Sequence, residues 1–216
     1  SFHGPSATQT NFWTPNYTYR WAVSYITGAH AFKVGGQDSF GYHARTNYLT
    51  SLDAQNRPVR YRFLSQNTPD QVTVFQTPWN FVVDENHDLG LFVQDRWTMN
   101  RLTISGGVRL DYFNTSSPAQ TLQASTLGRP QLSFAAIDDT VSWKDVTPRL
   151  GASYDLRGDG KTALKVTLNK YVAGQGLGGL PSLANPANRM TQSNSRTWND
   201  NFFGAGDPRS GNFVVD

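Results

Sequence analysis

Residues 89–113, LGLFVQDRWTMNRLTISGGVRLDYF, alternate apolar and polar side chains on both sides of a short step at Thr98-Met99-Asn100. Leu89, Leu91 and Val93 alternate with Gly90, Phe92 and Gln94. Beyond the step, Leu102, Ile104, Val108, Leu110 and Tyr112 alternate with Thr103, Ser105, Gly107, Arg109 and Asp111. Successive strand side chains point to opposite faces, so the pattern predicts two antiparallel strands, each with one apolar and one polar face. The same period runs through Tyr17–Ile26, Phe32–Tyr42, Val59–Leu64, Val72–Thr77, Arg149–Leu156 and Leu164–Asn169. These stretches predict an all-β chain of about eight strands, joined as antiparallel hairpins in an up-and-down meander. Asp38 and Asp95 interrupt their apolar faces, and Gly106-Gly107 marks a weak point or kink in its strand.

The connections alternate in length. TGAH (27–30), NTPD (67–70), TMNR (98–101) and RGDG (157–160) are short, whereas 49–57, 79–86, 114–142 and 173–216 are long and polar. A soluble sandwich has no reason to gather its short turns at one end. A transmembrane β-barrel does, with short periplasmic turns and long extracellular loops. Aromatic residues recur at strand ends (Tyr17, Tyr25, Tyr42, Trp97, Tyr112, Tyr154), where interfacial girdles would lie, although aromatics favour strands in any setting. Two settings for the apolar face therefore stand side by side. In a barrel it meets lipid; in a soluble carbohydrate-binding sandwich it turns inward on a second sheet.

Composition narrows the classes. Aromatics reach 13% and charged residues only 16%, the opposite of a disordered chain. The mean hydropathy of −0.51 is compatible with a membrane barrel, because only every second strand residue must be apolar. No run approaches the roughly 18 apolar residues of a spanning helix. The net charge of +3 is spread along the chain and leaves no footprint for nucleic acid. The absence of cysteine excludes a disulfide scaffold and thiolate metal sites.

Catalytic and metal signals are weak, and the chain reads as a non-enzyme without cofactor or metal. His3, His30, His43 and His87 lack metal-ligand spacing. GQGLGGLPS (174–182) has no strand-to-helix surroundings and reads as a flexible loop rather than a phosphate cradle. Asp84, Glu85 and Asp88 lack the pattern of a calcium loop, and RGD at 157–159 reads as a turn. With the apolar face outward, the opposite face carries Arg20, Lys33, Arg60, Arg62, Arg109 and Lys165, opposed clearly by Asp111 alone. These are candidate contacts for an anionic solute, or partners for other parts of a barrel. Trp79, Trp143, Trp198, Phe202 and Phe203 fall in the long connections as candidate aromatic contacts; loop packing explains them equally.

Four segments carry a resemblance. LGLFVQDRWTMNRLTISGGVRLDYF resembles the strand–turn–strand signature of TonB-dependent outer-membrane receptors, in which aromatic-x-Gln-Asp-x-Trp precedes an RLTLNLGLRYD-like strand. VTPRLGASYDLRGDGKTALKVTLNKYV (146–172) resembles the next hairpin of that family, and TGAHAFKVGG (27–36) its GxHxFKFGG strand. The closing run RTWNDNFFGAGDPRSGNFVVD (196–216) is similar to an extracellular loop of the Oar-like subgroup, whose members have a carboxypeptidase-regulatory-like N-terminal domain. Asp200 and Asp207 lie where that subgroup has a denser Asp/Asn run.

The resemblance implies part of a large transmembrane barrel of the bacterial outer membrane, residues 1–216 forming a slice of its wall with long loops at 114–142 and 173–216. It implies energised uptake of an extracellular nutrient. It also implies outer-membrane lipid as a partner, and contact with the TonB complex through a plug and an N-terminal segment that these residues do not contain. A passive porin or a surface adhesin barrel is the alternative within the membrane.

Overall fold

The computed structural model describes residues 8–50, 52–53, 56–64, 69–125, 128–200 and 203–212. Its main element is one antiparallel sheet that curls into part of a barrel. The wall strands are β1 (Thr8–Trp13), β2 (Asn16–Thr27), β3 (His30–Leu49), β6 (Trp79–Met99), β7 (Leu102–Ser117), β10 (Ile137–Asp155) and β11 (Ala163–Asn169). They are ordered β1-β3-β6-β7-β10-β11, with β2 also on β3. β1 and β2 are one strand in two pieces. The pairings Trp13↔Ala44 and Asn16↔Gly41 keep the same register, and the ladder is interrupted at Pro15, which has no N–H to donate. The Tyr42 N–H donates to the Pro15 carbonyl there at 3.2 Å. A Cβ on Gly41 would collide with that carbonyl, so the crossing requires glycine.

The register places Val23, Val34, Val93 and Val108 side by side on one face, and Trp21, Gly36, Leu91, Leu110 and Val146 in the next row. Among the described residues no second sheet covers them: Val93 and Leu110, in the middle of the sheet, are 50% and 51% exposed. A soluble sandwich would bury such faces against each other, and the described residues do not.

Three of the short turns lie at one end of this sheet, at 28–29, 100–101 and 156–162. Gly28 and Asn100 supply the left-handed backbone positions that the first two require. In the third, the Asp155 carboxylate accepts from the backbone N–H groups of Gly160 (2.8 Å), Gly158 (2.9 Å) and Arg157 (3.2 Å). The N–H of Gly160 foremost holds this carboxyl below the usual range, with those of Gly158 and Arg157 and the nearby Arg101 charge adding to it against a small burial penalty.

At the other end the structure departs from the sequence reading. The eight wall strands expected become six. β4 (Val59–Phe63) and β5 (Pro69–Phe75) leave the wall and form a separate sheet with β12 (Ser193–Thr197). The turn expected at 67–70 lies partly outside the described residues. Residues 79–86, read as a loop, are the outer half of β6. The connection expected over 114–142 is shorter, because β7 runs to Ser117 and β10 begins at Ile137, with a small hairpin of β8 (Gln120–Leu122) and β9 (Leu132–Phe134) between. The segment after 173 contains a short helix, α1 (Leu180–Ala184), as well as β12.

One residue explains why 79–86 was misread. The β6 ladder slips by one position against both β3 and β7 around Asn86, a β-bulge. Leu89, Leu91 and Val93 point outward, but on the far side of the bulge the same parity, Trp79, Phe81 and Val83, points inward. There these three are fully buried against Leu122 and Ala187, with Leu177 and Met190 packed alongside. The Trp79 indole N–H donates to the Ala187 carbonyl at 3.2 Å. Gln120 completes the sheet edge: its amide accepts from the Val82 N–H (2.9 Å) and donates to the Val82 carbonyl (3.2 Å), taking the place of a missing strand residue.

Gln120→Leu should cost about 1–3 kcal/mol of stability by orphaning a buried backbone N–H, read from denaturant unfolding in detergent. Asp155→Asn should lower stability at pH 7. Because the native carboxyl is depressed, its contribution is complete above the unfolded carboxylate range and disappears as pH falls through the native value. The two proteins should therefore converge on acidification, and a gap that persists undiminished at pH 2 would contradict this role.

Candidate ligand-contact face of the barrel wall

The polar face opposite the apolar one carries the cavities of the sheet. Three adjoining hollows of about 310, 690 and 290 Å³ lie along it, and Arg109 lines all three. Arg109 is held from two sides. Its Nε donates to Asp111 Oδ1 at 2.6 Å, and the Thr147 hydroxyl lies 3.4 Å from Asp111 Oδ2 and 3.3 Å from the Arg109 carbonyl oxygen. The guanidinium lies over Gly90 on the neighbouring strand, where a Cβ would overlap its Nη2 and Cζ. Tethering through Nε engages one of its donors with Asp111, and a guanidinium can take a carboxylate or phosphate with two parallel bonds.

Around Arg109 the charges form two layers. Asp88, Asp111 and Asp145 come from three adjacent strands and line the hollow nearer the loops, beside Trp143 and its ring partner Phe113, 5.9 Å away. Asp145 accepts from Lys170 at 3.2 Å, and the Arg149 guanidinium lies over Tyr171 at 5.2 Å. Lys33, Arg96 and Arg149 line the larger hollow nearer the short turns, where Gly107 and Gly151 leave room. Lys33 sits over the Phe92 ring at 5.9 Å. Lys165 lies opposite Ser153 on the same face.

The structure thus brings Arg20, Lys33, Arg109, Lys165 and Trp143 to one surface. Arg60 and Arg62 are elsewhere: both are on β4 in the separate sheet, and Arg62 pairs with Asp70. Trp198 is buried in that small sheet, packed on Tyr61 and Phe63, so it is a core residue there. Trp79 is a core residue of the wall. Phe203 lies under the Arg209 guanidinium, and Phe202 falls outside the described residues. Sequence reasoning missed Asp88, Arg96, Asp145 and Arg149. Arg149 opens the alternating stretch 149–156, and continuing that alternation back through Pro148 reaches Asp145 on the same face.

The family model described as TonB dependent receptor-like, beta-barrel matches residues 2–162. The chain belongs to that family. The match covers every wall strand through β10 and all three of the TonB-dependent receptor segments singled out by their strand patterns, the last of them in part. No curated protein and no solved structure matches the chain. Receptors of this family are outer-membrane transport proteins rather than enzymes.

Gly90→Ala should leave stability within about 0.5 kcal/mol, because only the mobile end of Arg109 must move. It should also raise the rate at which phenylglyoxal modifies Arg109, read by peptide mass spectrometry. An unchanged rate would mean that Gly90 does not seat the guanidinium.

Proposed function

We propose that this chain is a slice of the wall of an outer-membrane nutrient transporter, embedded with its apolar face in lipid and its polar face lining the lumen. The observation that carries the reading is the division of one curled sheet into an exposed apolar face, uncharged between Asp38 and Asp95 along β3 and β6, and a hollowed face with charged groups around Arg109. Uptake would be energised through the TonB complex. The ligand would meet the loop-side hollow first, where Trp143 offers a ring face and Asp88, Asp111 and Arg109 offer hydrogen-bonding groups. Arg20 lies in the row of Asp111 and Asp145, and Lys33 and Lys165 lie nearer the short turns on the same face, on the route of a ligand or against a plug. The similarity of residues 196–216 to Oar-like loops supports placing the receptor in that subgroup.

The test is depletion of solutes from the growth medium, followed by mass spectrometry, for wild-type cells, cells lacking this gene and cells lacking TonB. An energised receptor predicts a solute consumed by wild-type cells and spared by both mutants. A solute spared only by the receptor mutant would identify a passive pore instead.

A further inference from the structure

The two acids that interrupt the apolar face, Asp38 on β3 and Asp95 on β6, do not stand bare. Each is met by a histidine from the other strand. His30 Nδ1 lies 2.6 Å from Asp95 Oδ2, and His87 Nδ1 lies 2.9 Å from Asp38 Oδ2. The arrangement is reciprocal: β3 supplies the histidine at the short-turn end and the acid at the loop end, and β6 does the reverse. The rings around each pair fit an interface. His30 is stacked between Phe32 and Trp97, with both centroids 5.3 Å away. At the loop end the Tyr19 hydroxyl donates to Asp38 Oδ2 at 3.4 Å, and His87 packs near Tyr112.

Between the two pairs the outward face is free of charge. It carries Phe32, Val34 and Gly36 on β3 and Leu89, Leu91 and Val93 on β6. The same stretch is uncharged on the neighbouring strands, from Tyr19 to Tyr25 on β2 and from Ile104 to Leu110 on β7. From His30 to Asp38 the strand rises roughly 26 Å. With the strand tilt of about 40° usual in membrane barrels, that is about 20 Å along the bilayer normal, slightly less than the apolar band of about 25 Å.

We infer that the Asp95–His30 and Asp38–His87 pairs are the two borders of hydrocarbon contact along the β3–β6 seam, and that the surface between them fits the acyl-chain region of a bilayer. The inference rests on the outer face meeting lipid. A bare carboxylate so close to the chains would be costly, whereas one that is hydrogen-bonded to an imidazole packed among aromatic rings is partly sheltered where headgroups begin. Aromatic side chains with a polar end are at home at this depth. The pairs therefore serve as depth marks, and they also tie β3 to β6 at both ends of the embedded stretch.

The chain contains no cysteine, so single cysteines can be introduced and spin-labelled without removing any. Labels at positions 34, 91, 93 and 108, and at 42 and 99 beyond the pairs, would be examined in phosphatidylcholine bilayers. Relaxation by oxygen, which concentrates in lipid, would be compared with relaxation by a water-soluble nickel chelate. Oxygen should dominate at 34, 91, 93 and 108, and the chelate at 42 and 99. Replacing Asp38 and His87 together by leucine should shift position 42 to oxygen dominance, because nothing would then stop hydrocarbon contact from extending outward. Oxygen dominance at 42 and 99 in the unaltered protein, or no shift at 42 in the double variant, would overturn the inference and leave the lipid-facing reading intact. Chelate dominance at 34, 91, 93 and 108 would overturn the lipid-facing reading itself.

Discussion

Strand pairing along β3 and β6 is the constraint on which the rest of this protein depends. Each is paired on both sides over most of its length, and every residue's face follows from its place in those ladders. A strand that meets lipid must satisfy its backbone within the sheet, so a break in pairing is tolerated only where something else supplies the bonds. The Pro15 interruption lies toward the loop end. The bulge at Asn86 lies in the same region and is covered by side chains: Asn86 donates to Asn114 at 2.7 Å and accepts from Ser116 at 3.1 Å.

That bulge also divides the wall into two environments. On the short-turn side of it, the sheet turns apolar side chains outward and charged ones inward. On the loop side, Trp79, Phe81 and Val83 turn inward and are covered by the β8–β9 hairpin and the segment around α1. The strands thus continue past the bulge as a rim with a small core of its own. A shift of one residue is enough to exchange the faces because the side-chain period is two.

The charges follow the same division. The acids left on the outer face are paired with histidines, where they would otherwise be expensive. The inner face keeps acids and cations in layers on either side of Arg109, whose seat depends on the missing side chain at Gly90. Membership in the TonB-dependent receptor family and this separation of faces are independent observations that point to the same setting, a sheet between lipid and a watery interior.

The strand class, the antiparallel meander and the two-faced wall were legible in the residues alone, because alternation is a local property: Leu89 to Val93 and Leu102 to Tyr112 show it wherever the chain lies. Gly28 and Asn100 announced their turns for the same local reason. The tertiary structure alone decided which alternating stretches belong to the wall. Val59–Phe63 alternates as cleanly as any wall strand, yet it pairs with β5, whose other edge is taken by β12 from well over a hundred residues further along the chain. The structure also decided the inward turn of Trp79, since a bulge changes parity without any mark in residue type. It brought His30 to Asp95 and His87 to Asp38 as well, because register between strands depends on the whole ladder and not on either strand's own sequence.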